Sequence, residues 1–369
     1  MTRMGAKLPF REAAQEVRET YQVTVSEATT RQTTHENGRA AVELVQEKVE
    51  QFKAELPIPT AQPDQLQLST DGCFVCTTTG EWREVKTLAI GEVAVNWNQK
   101  RAEMVTETTN WSYYSSIATI REFEEAALVE LHERGVENAQ RLFSVNDGAK
   151  WIQNFTDYHC PNAIRILDFS HAAEHVAAAG KAALGENSDL FKSWYRDAKA
   201  RLKHKPPAQS IARLHLLARQ SDDLAVKETI LDQIDYLEPR IDQIDYPFFQ
   251  HRHYPIGSGS VESSHKHVVQ KRMKQAGMRW AADNIDPLLA LRTLLANDRW
   301  TTGWADISAS RLQKSLASSP LPLLTSTPAP LPTPTLKPVS PAFSTPNPSP
   351  KPLHLHPWRR GIWPDPRFS

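Results

Sequence analysis

The chain has 369 residues, with 43 Lys and Arg balanced by 43 Asp and Glu, so its formal charge is zero. That length allows one large domain with appendages, or two domains, and no apolar run is long enough to span a membrane. The first residues lack the continuous apolar core of a secretion signal and the three thiols, Cys73, Cys76 and Cys160, suit a reducing compartment, which together point to the cytoplasm.

Zero net charge leaves nucleic-acid binding to local clusters, and residues 192–219 and 266–279 are both rich in Lys, Arg and His with few acids. Residues 9–21 and 27–36 carry apolar side chains at helical spacing on either side of a short link, with Asn37-Gly38 as a stop. This pattern fits a helix-turn-helix. A further helix is expected over 38–56, closing an N-terminal helical segment (1–56), and Pro57, Pro59 and Pro63 make 57–66 an extended linker.

From Gln65 the period changes from helical to extended. QLQLSTDGCFVCTTTGEWREVKTLAIGEV alternates in two runs about Thr77-Thr78-Thr79-Gly80, as a β-hairpin does, and a third strand is expected near 104–114. Asp71 sits inside the first strand beside Leu68, Phe74 and Val75, where an acid is unfavourable both by propensity and by burial. Cys73 and Cys76 are three apart in the same run and point to opposite faces, so they read as small core residues rather than as a metal pair. A helix over 121–134 leads to a strand at 141–145 that ends abruptly in Asn146-Asp147-Gly148. Another helix from Trp151 leads to a strand at 163–167 that ends in Asp168-Phe169-Ser170-His171. The succession β-β-β-α-β-α-β describes an α/β mixed sheet flanked by helices, a class that holds its sites at the carboxyl ends of strands.

Residues 172–246 are helical in pattern and polar, broken at Pro206-Pro207, and read as an all-helical insertion over about 176–250. Inside it LDQIDY at Leu231 is echoed by IDQIDY at Ile241, too short a repeat for a solenoid. Then comes PIGSGSVESSHKHVVQKRMKQAGMRW, from Pro255 to Trp280. A flexible Gly257-Ser258-Gly259-Ser260 run opens a helix of about four turns that Gly277 closes. On that helix Val261, Val268, Val269, Met273 and Ala276 gather on one side, His267, Lys271 and Lys274 fall on the other, and Glu262 projects beside the apolar stripe. A last helix is expected over 284–297, and the proline-rich stretch 315–369 reads as a disordered tail.

Three acids therefore stand out: Asp71, Asp147 and Glu262. Three convergent carboxylates are the ligand set for two divalent cations, Mg²⁺ or Mn²⁺, which can activate a hydroxyl and stabilise the leaving oxygen of a phosphodiester. Lys150 and Lys266, each one helical turn from an acid, and Lys271, Arg272 and Lys274 further along are candidate DNA contacts. A rival motif, His171-Ala172-Ala173-Glu174-His175, fits the H-x-x-E-H pattern of inverted zinc peptidases.

Taken together, DGCFVCTTTGEWREVK from Asp71, SVNDGAKWI from Ser144, DFSH from Asp168, the segment from Pro255 to Trp280 and LLALR from Leu288 resemble the DDE transposases of bacterial insertion sequences. They are most similar to the ISKra group, related to Mutator-like transposases, over about residues 60–300. The resemblance implies an RNase H-like catalytic domain (67–300) with its helical insertion ahead of the Glu helix. It also implies a metal-binding triad of Asp71, Asp147 and Glu262, with Asp168 and His171 as the family's [C/D]-x-x-H element. By the same resemblance the partners are double-stranded DNA, as element ends and target, and further copies of the chain, at the nucleoid. Relatives usually carry paired cysteines ahead of the catalytic domain, whereas the first cysteine here is Cys73, so the start looks truncated. The alternatives are a truncated DNA-binding derivative without activity and an RNase H-like nuclease or resolvase.

Overall fold

The computed structural model describes residues 1–318 other than 101 and 260–264. Five strands make one mixed sheet in the order β3-β2-β1-β4-β5: β1 (Gln65–Cys76), β2 (Trp82–Asn98), β3 (Glu103–Ser116), β4 (Arg141–Asn146) and β5 (Ile164–Leu167). The first three form an antiparallel meander, and β4 and β5 run parallel to β1. The β1–β2 turn closes on Gly80, whose φ of +87° is a conformation that a side chain would strain. Helices α4 (Ile120–Glu133) and α5 (Lys150–His159) carry the chain across to the parallel strands. A capping box starts α4, in which Thr119 and Glu122 satisfy each other's backbone N–H groups.

Strand alternation then decides what each face of the sheet packs against. Leu66 and Leu68 of β1, Leu88 and Ile90 of β2 and Leu142 of β4 pack on Phe123, Ala127, Leu128 and Leu131 of α4 and Phe155 of α5. The opposite face is covered by two separate cores. Phe143, Val145 and Ile166 lie under a helical body made of α6 (Phe169–Leu184), α7 (Asp189–His204), α8 (Pro207–Arg219), α9 (Leu224–Leu237) and α10 (Tyr246–His251). Cys73, Val75 and Val85 lie under α1 (Thr2–Lys7), α2 (Phe10–Tyr21), α3 (Glu27–Ala54) and α11 (Ile285–Ala296). The molecule is thus an α/β mixed open sheet with helices on both faces. Among the described residues no helix is long and apolar enough to cross a membrane.

Two expectations are corrected. Asn37-Gly38 does not stop a helix: α3 runs unbroken for 28 residues, so there is no pair of short helices followed by a third. The physical reason is close packing. Asn37 bonds to Thr2 and to the Thr33 carbonyl, and Gly38 lies against the backbone of Pro287. The N-terminal helices accordingly share a core with α11. Second, the expected tail (315–369) begins as helix: α12 (Trp300–Ser318) runs into its first residues, and the remainder from 319 onward lies outside the described residues.

Gly38→Ala should therefore destabilise the protein despite the helix propensity of alanine, worth about 1 kcal/mol. A Cβ there overlaps the Pro287 carbonyl and carbonyl carbon, backbone atoms that cannot swing away. Urea unfolding should report a net loss of about 1–2 kcal/mol, and unchanged or increased stability would contradict this packing.

Candidate active site

The site follows from strand register. The ladder between β1 and β4 pairs Leu68 with Ser144, so three residues further on Asp71 comes beside Asp147. The ladder between β4 and β5 pairs Asn146 with Leu167, so one residue further Asp147 comes beside Asp168. The Asp168 N–H donates to the Asn146 carbonyl at 2.8 Å, and the Thr70 N–H bonds to the Asn146 side chain, so the alignment is held past the end of the ladder. On the other side Asp71 pairs with Thr87 of β2 and Thr87 with Ser115 of β3, whose hydroxyls lie 2.9 Å apart. One polar row, Ser115-Thr87-Asp71-Asp147-Asp168, therefore crosses all five strands on the face that carries the two separate cores. Neighbouring strands are about 4.8 Å apart, so the acids are close enough to share a ligand.

Burial divides the row by role. Thr87, Ser115 and Asp168 are buried, while Asp71 and Asp147 are only partly so. Asp71 accepts from the Gly72 N–H at 2.7 Å, and its other carboxylate oxygen lies 3.3 Å from Nδ1 of the buried His265. Asp147 accepts from the Ala149 N–H at 3.1 Å. Partial burial raises its pKa, and the charges of Asp71 and Asp168 push the same way, against the Ala149 N–H and His171. Burial and the neighbouring carboxylates thus both disfavour the ionised form of Asp147.

Asp168 is used differently. One oxygen caps α6 by accepting from the His171 N–H, and the other accepts from both the N–H and the hydroxyl of Ser258, the latter at 2.8 Å. The Gly257 carbonyl accepts from buried Gln67, and the Ile256 carbonyl from the Phe169 N–H. The chain from Ile256 to Ser258 is thereby tied to the tip of β5 and to the first half of β1.

Glu262 lies outside the described residues, but both of its flanks are fixed. Ser258 is bonded to Asp168 on one side, and on the other His265 meets Asp71 at the start of a π-helix, His265–Gln270, followed by one α-helical turn, Lys271–Met273. Arg292 of α11 meets this turn: its buried guanidinium donates to the carbonyls of His267 and Val268, and to that of Ala6 in α1 at 2.8 Å. Gly277 does take a left-handed φ of +71°, but it sits beyond the helix, which ends at Met273.

Of the basic residues, Lys150, Lys266, Lys271 and Lys274 are exposed. Arg272 is not, which corrects its assignment to DNA contact: it is 1% exposed, its guanidinium lies 4.6 Å from the Phe10 ring and 4.9 Å from the Trp280 ring, and it donates to the Gly5 carbonyl. It falls on the apolar side of the turn, where a guanidinium can stack on aromatic faces. The H-x-x-E-H residues form part of an aromatic stack. His175 lies face to face with Tyr236 at 3.8 Å and bonds to Gln233, His171 packs edge-on against both rings, and the Glu174 side chain is exposed. Among the described residues no group of three His, Cys, Asp or Glu is arranged to hold a metal ion.

Reasoning from sequence missed His265, Gln67, Ser258, Asn146 and Tyr236 at this site. His265 and Ser258 were legible as neighbours of Glu262 within one motif, whereas Gln67 and Asn146 needed the strand register. No protein-family model and no curated protein matches the chain.

The raised pKa of Asp147 has a definite sign. The folded state holds the proton more readily than the unfolded chain, so the ionised carboxylate costs stability as pH rises through the folded pKa. In EDTA, Asp147→Asn should melt higher than the parent at pH 8, by no more than about 1 kcal/mol at this half-open position, and the difference should fade on acidification. A variant less stable than the parent at pH 8 would contradict the electrostatic account.

Proposed function

We propose that this chain is an RNase H-like DDE transposase that cuts DNA at the ends of a mobile element and joins the freed 3′ hydroxyls to a target. The observation that carries the reading is the register that sets Asp71 beside Asp147 at one level of the sheet, with both flanks of Glu262 tied to that level. The strand order and the helices α6–α10 between β5 and the Glu262 segment are compatible with an RNase H-like fold carrying a helical insertion.

Two adjacent and partly desolvated carboxylates, the charge of Asp71 disfavouring ionisation of Asp147, support a pair of divalent cations at this place. Asp71, Asp147 and Glu262 would hold Mg²⁺ or Mn²⁺, which supplies Lewis acidity at the attacking and leaving oxygens of a phosphodiester. The protein's own part is positional. His265 fixes the Asp71 carboxylate, the Ala149 N–H fixes that of Asp147, and Asp168 holds the Ser258 end of the incoming segment. Lys150 at the start of α5 and Lys266, Lys271 and Lys274 around the π-helix offer exposed cations for backbone phosphates, and their contribution should weaken with salt. Paired element ends would be bound by more than one copy of the chain.

The test is nicking and strand transfer on labelled duplexes carrying the element end, with Mg²⁺ or Mn²⁺. Asp71→Asn, Asp147→Asn and Glu262→Gln should each reduce products by at least about 100-fold while leaving duplex binding in place. Products that survive Glu262→Gln would overturn the reading, and cleavage without joining would narrow it to a nuclease.

A further inference from the structure

The repeated hexapeptide LDQIDY and IDQIDY has a structural outcome that its sequence does not announce. Its two tyrosines, Tyr236 and Tyr246, reach the carboxyl tips of two adjacent strands of the sheet. The Gly148 N–H, directly after Asp147, donates to the Tyr236 hydroxyl at 2.8 Å. The Tyr246 hydroxyl donates to the carbonyl of Leu167, directly before Asp168, also at 2.8 Å. The copies differ in backbone, since the first lies inside α9 while the second ends a 3-10 turn (Glu238–Gln243) and enters α10. They share their anchoring, with Ile234 and Ile244 buried in the same core.

Tyr236 is held in place as a part of the site would be. Its ring stacks on His175 at 3.8 Å and on the other side receives Arg240, whose guanidinium carbon is 4.2 Å from the ring centroid. Arg240 also donates to the Tyr236 carbonyl and to the Gly148 carbonyl at 3.0 Å, so both polar groups of the Gly148 peptide unit region are engaged by α9 and the turn after it. A Cβ on residue 148 would run into the Tyr236 hydroxyl and the Arg240 guanidinium, so those side chains would have to leave their present positions to make room for it.

We infer that Tyr236 and Tyr246 are positioning residues through which the helical body fixes the acids at the tips of β4 and β5, Tyr236 acting on Asp147 and Tyr246 on Asp168. This rests on the reading of Asp147 as a metal ligand, and it extends that reading to a part of the chain that carries no ligand. A hydroxyl that orients the peptide next to a ligand acts on metal affinity beyond its share in folding.

The full chain tests this with Tyr236→Phe, which keeps the ring, its stack and its core contacts and removes only the hydroxyl. Hydrogen exchange at the Gly148 amide should speed up by about fivefold, and Mn²⁺ counted by electron paramagnetic resonance should bind about tenfold more weakly, with the melting temperature lowered by no more than about 4 °C, the cost of one unpaired N–H. Tyr246→Phe should weaken Mn²⁺ less, because Asp168 is committed to α6 and Ser258. Exchange and affinity both unchanged in Tyr236→Phe would overturn the proposal, as would Mn²⁺ loss that merely tracks a large fall in melting temperature in both variants. A parent protein that binds no Mn²⁺, or binds it equally with Asp147→Ala, would instead overturn the metal reading itself.

Discussion

The arrangement depends on a single alignment of strands. Because β1 and β4 run parallel with Leu68 opposite Ser144, and β4 and β5 with Asn146 opposite Leu167, three acids distant in sequence arrive at one level of one face. Side chains alternate along a strand, so a slip of one residue in either ladder would turn an acid to the opposite face. Apolar residues enforce the register: Leu66 and Leu68 must meet α4 while Phe143 and Val145 must meet the helical body. The polar row is what remains between these demands, and it interrupts the apolar covering of the sheet between the two cores.

This explains why acids are tolerated there. An isolated carboxylate within a packed face is costly, but the row places Asp71 and Asp147 where neither core closes over them, and gives Asp168, the buried member, hydrogen bonds on both oxygens. One residue type thus serves two ends on one line. Satisfied by backbone and hydroxyl donors, it is a structural fastener, and left with a single strong donor and a neighbouring charge, it is a candidate ligand.

Much of the sheet was legible in the sequence because period-two runs and abrupt strand ends are local signals. The three leading strands, the β4 tip at Asn146-Asp147 and the β5 tip at Asp168 all occur where alternation and its termination put them. What was not legible depended on partners far away along the chain. Asn37-Gly38 reads as a helix stop until Pro287 packs against it, and Arg272 reads as a surface cation until Phe10 and Trp280 enclose it. The π-helical turn is met by Arg292, a residue more than twenty positions further along the chain, which bonds to its carbonyls. The acids of the site were visible as anomalies of composition, but their supports, Gln67, His265 and Tyr236, are ordinary residues whose role comes only from tertiary placement.

Arg292 also joins parts of the molecule that are far apart along the chain. Through one guanidinium it ties α1 to the π-helical turn, while Asp168 and Ser258 tie the other flank of the same segment to the helical body beyond β5. The two flanks of the 260–264 segment are therefore anchored to different cores, one through Arg292 to α1 and α11 and the other through Ser258 to the helical body, so a change in either core reaches one flank.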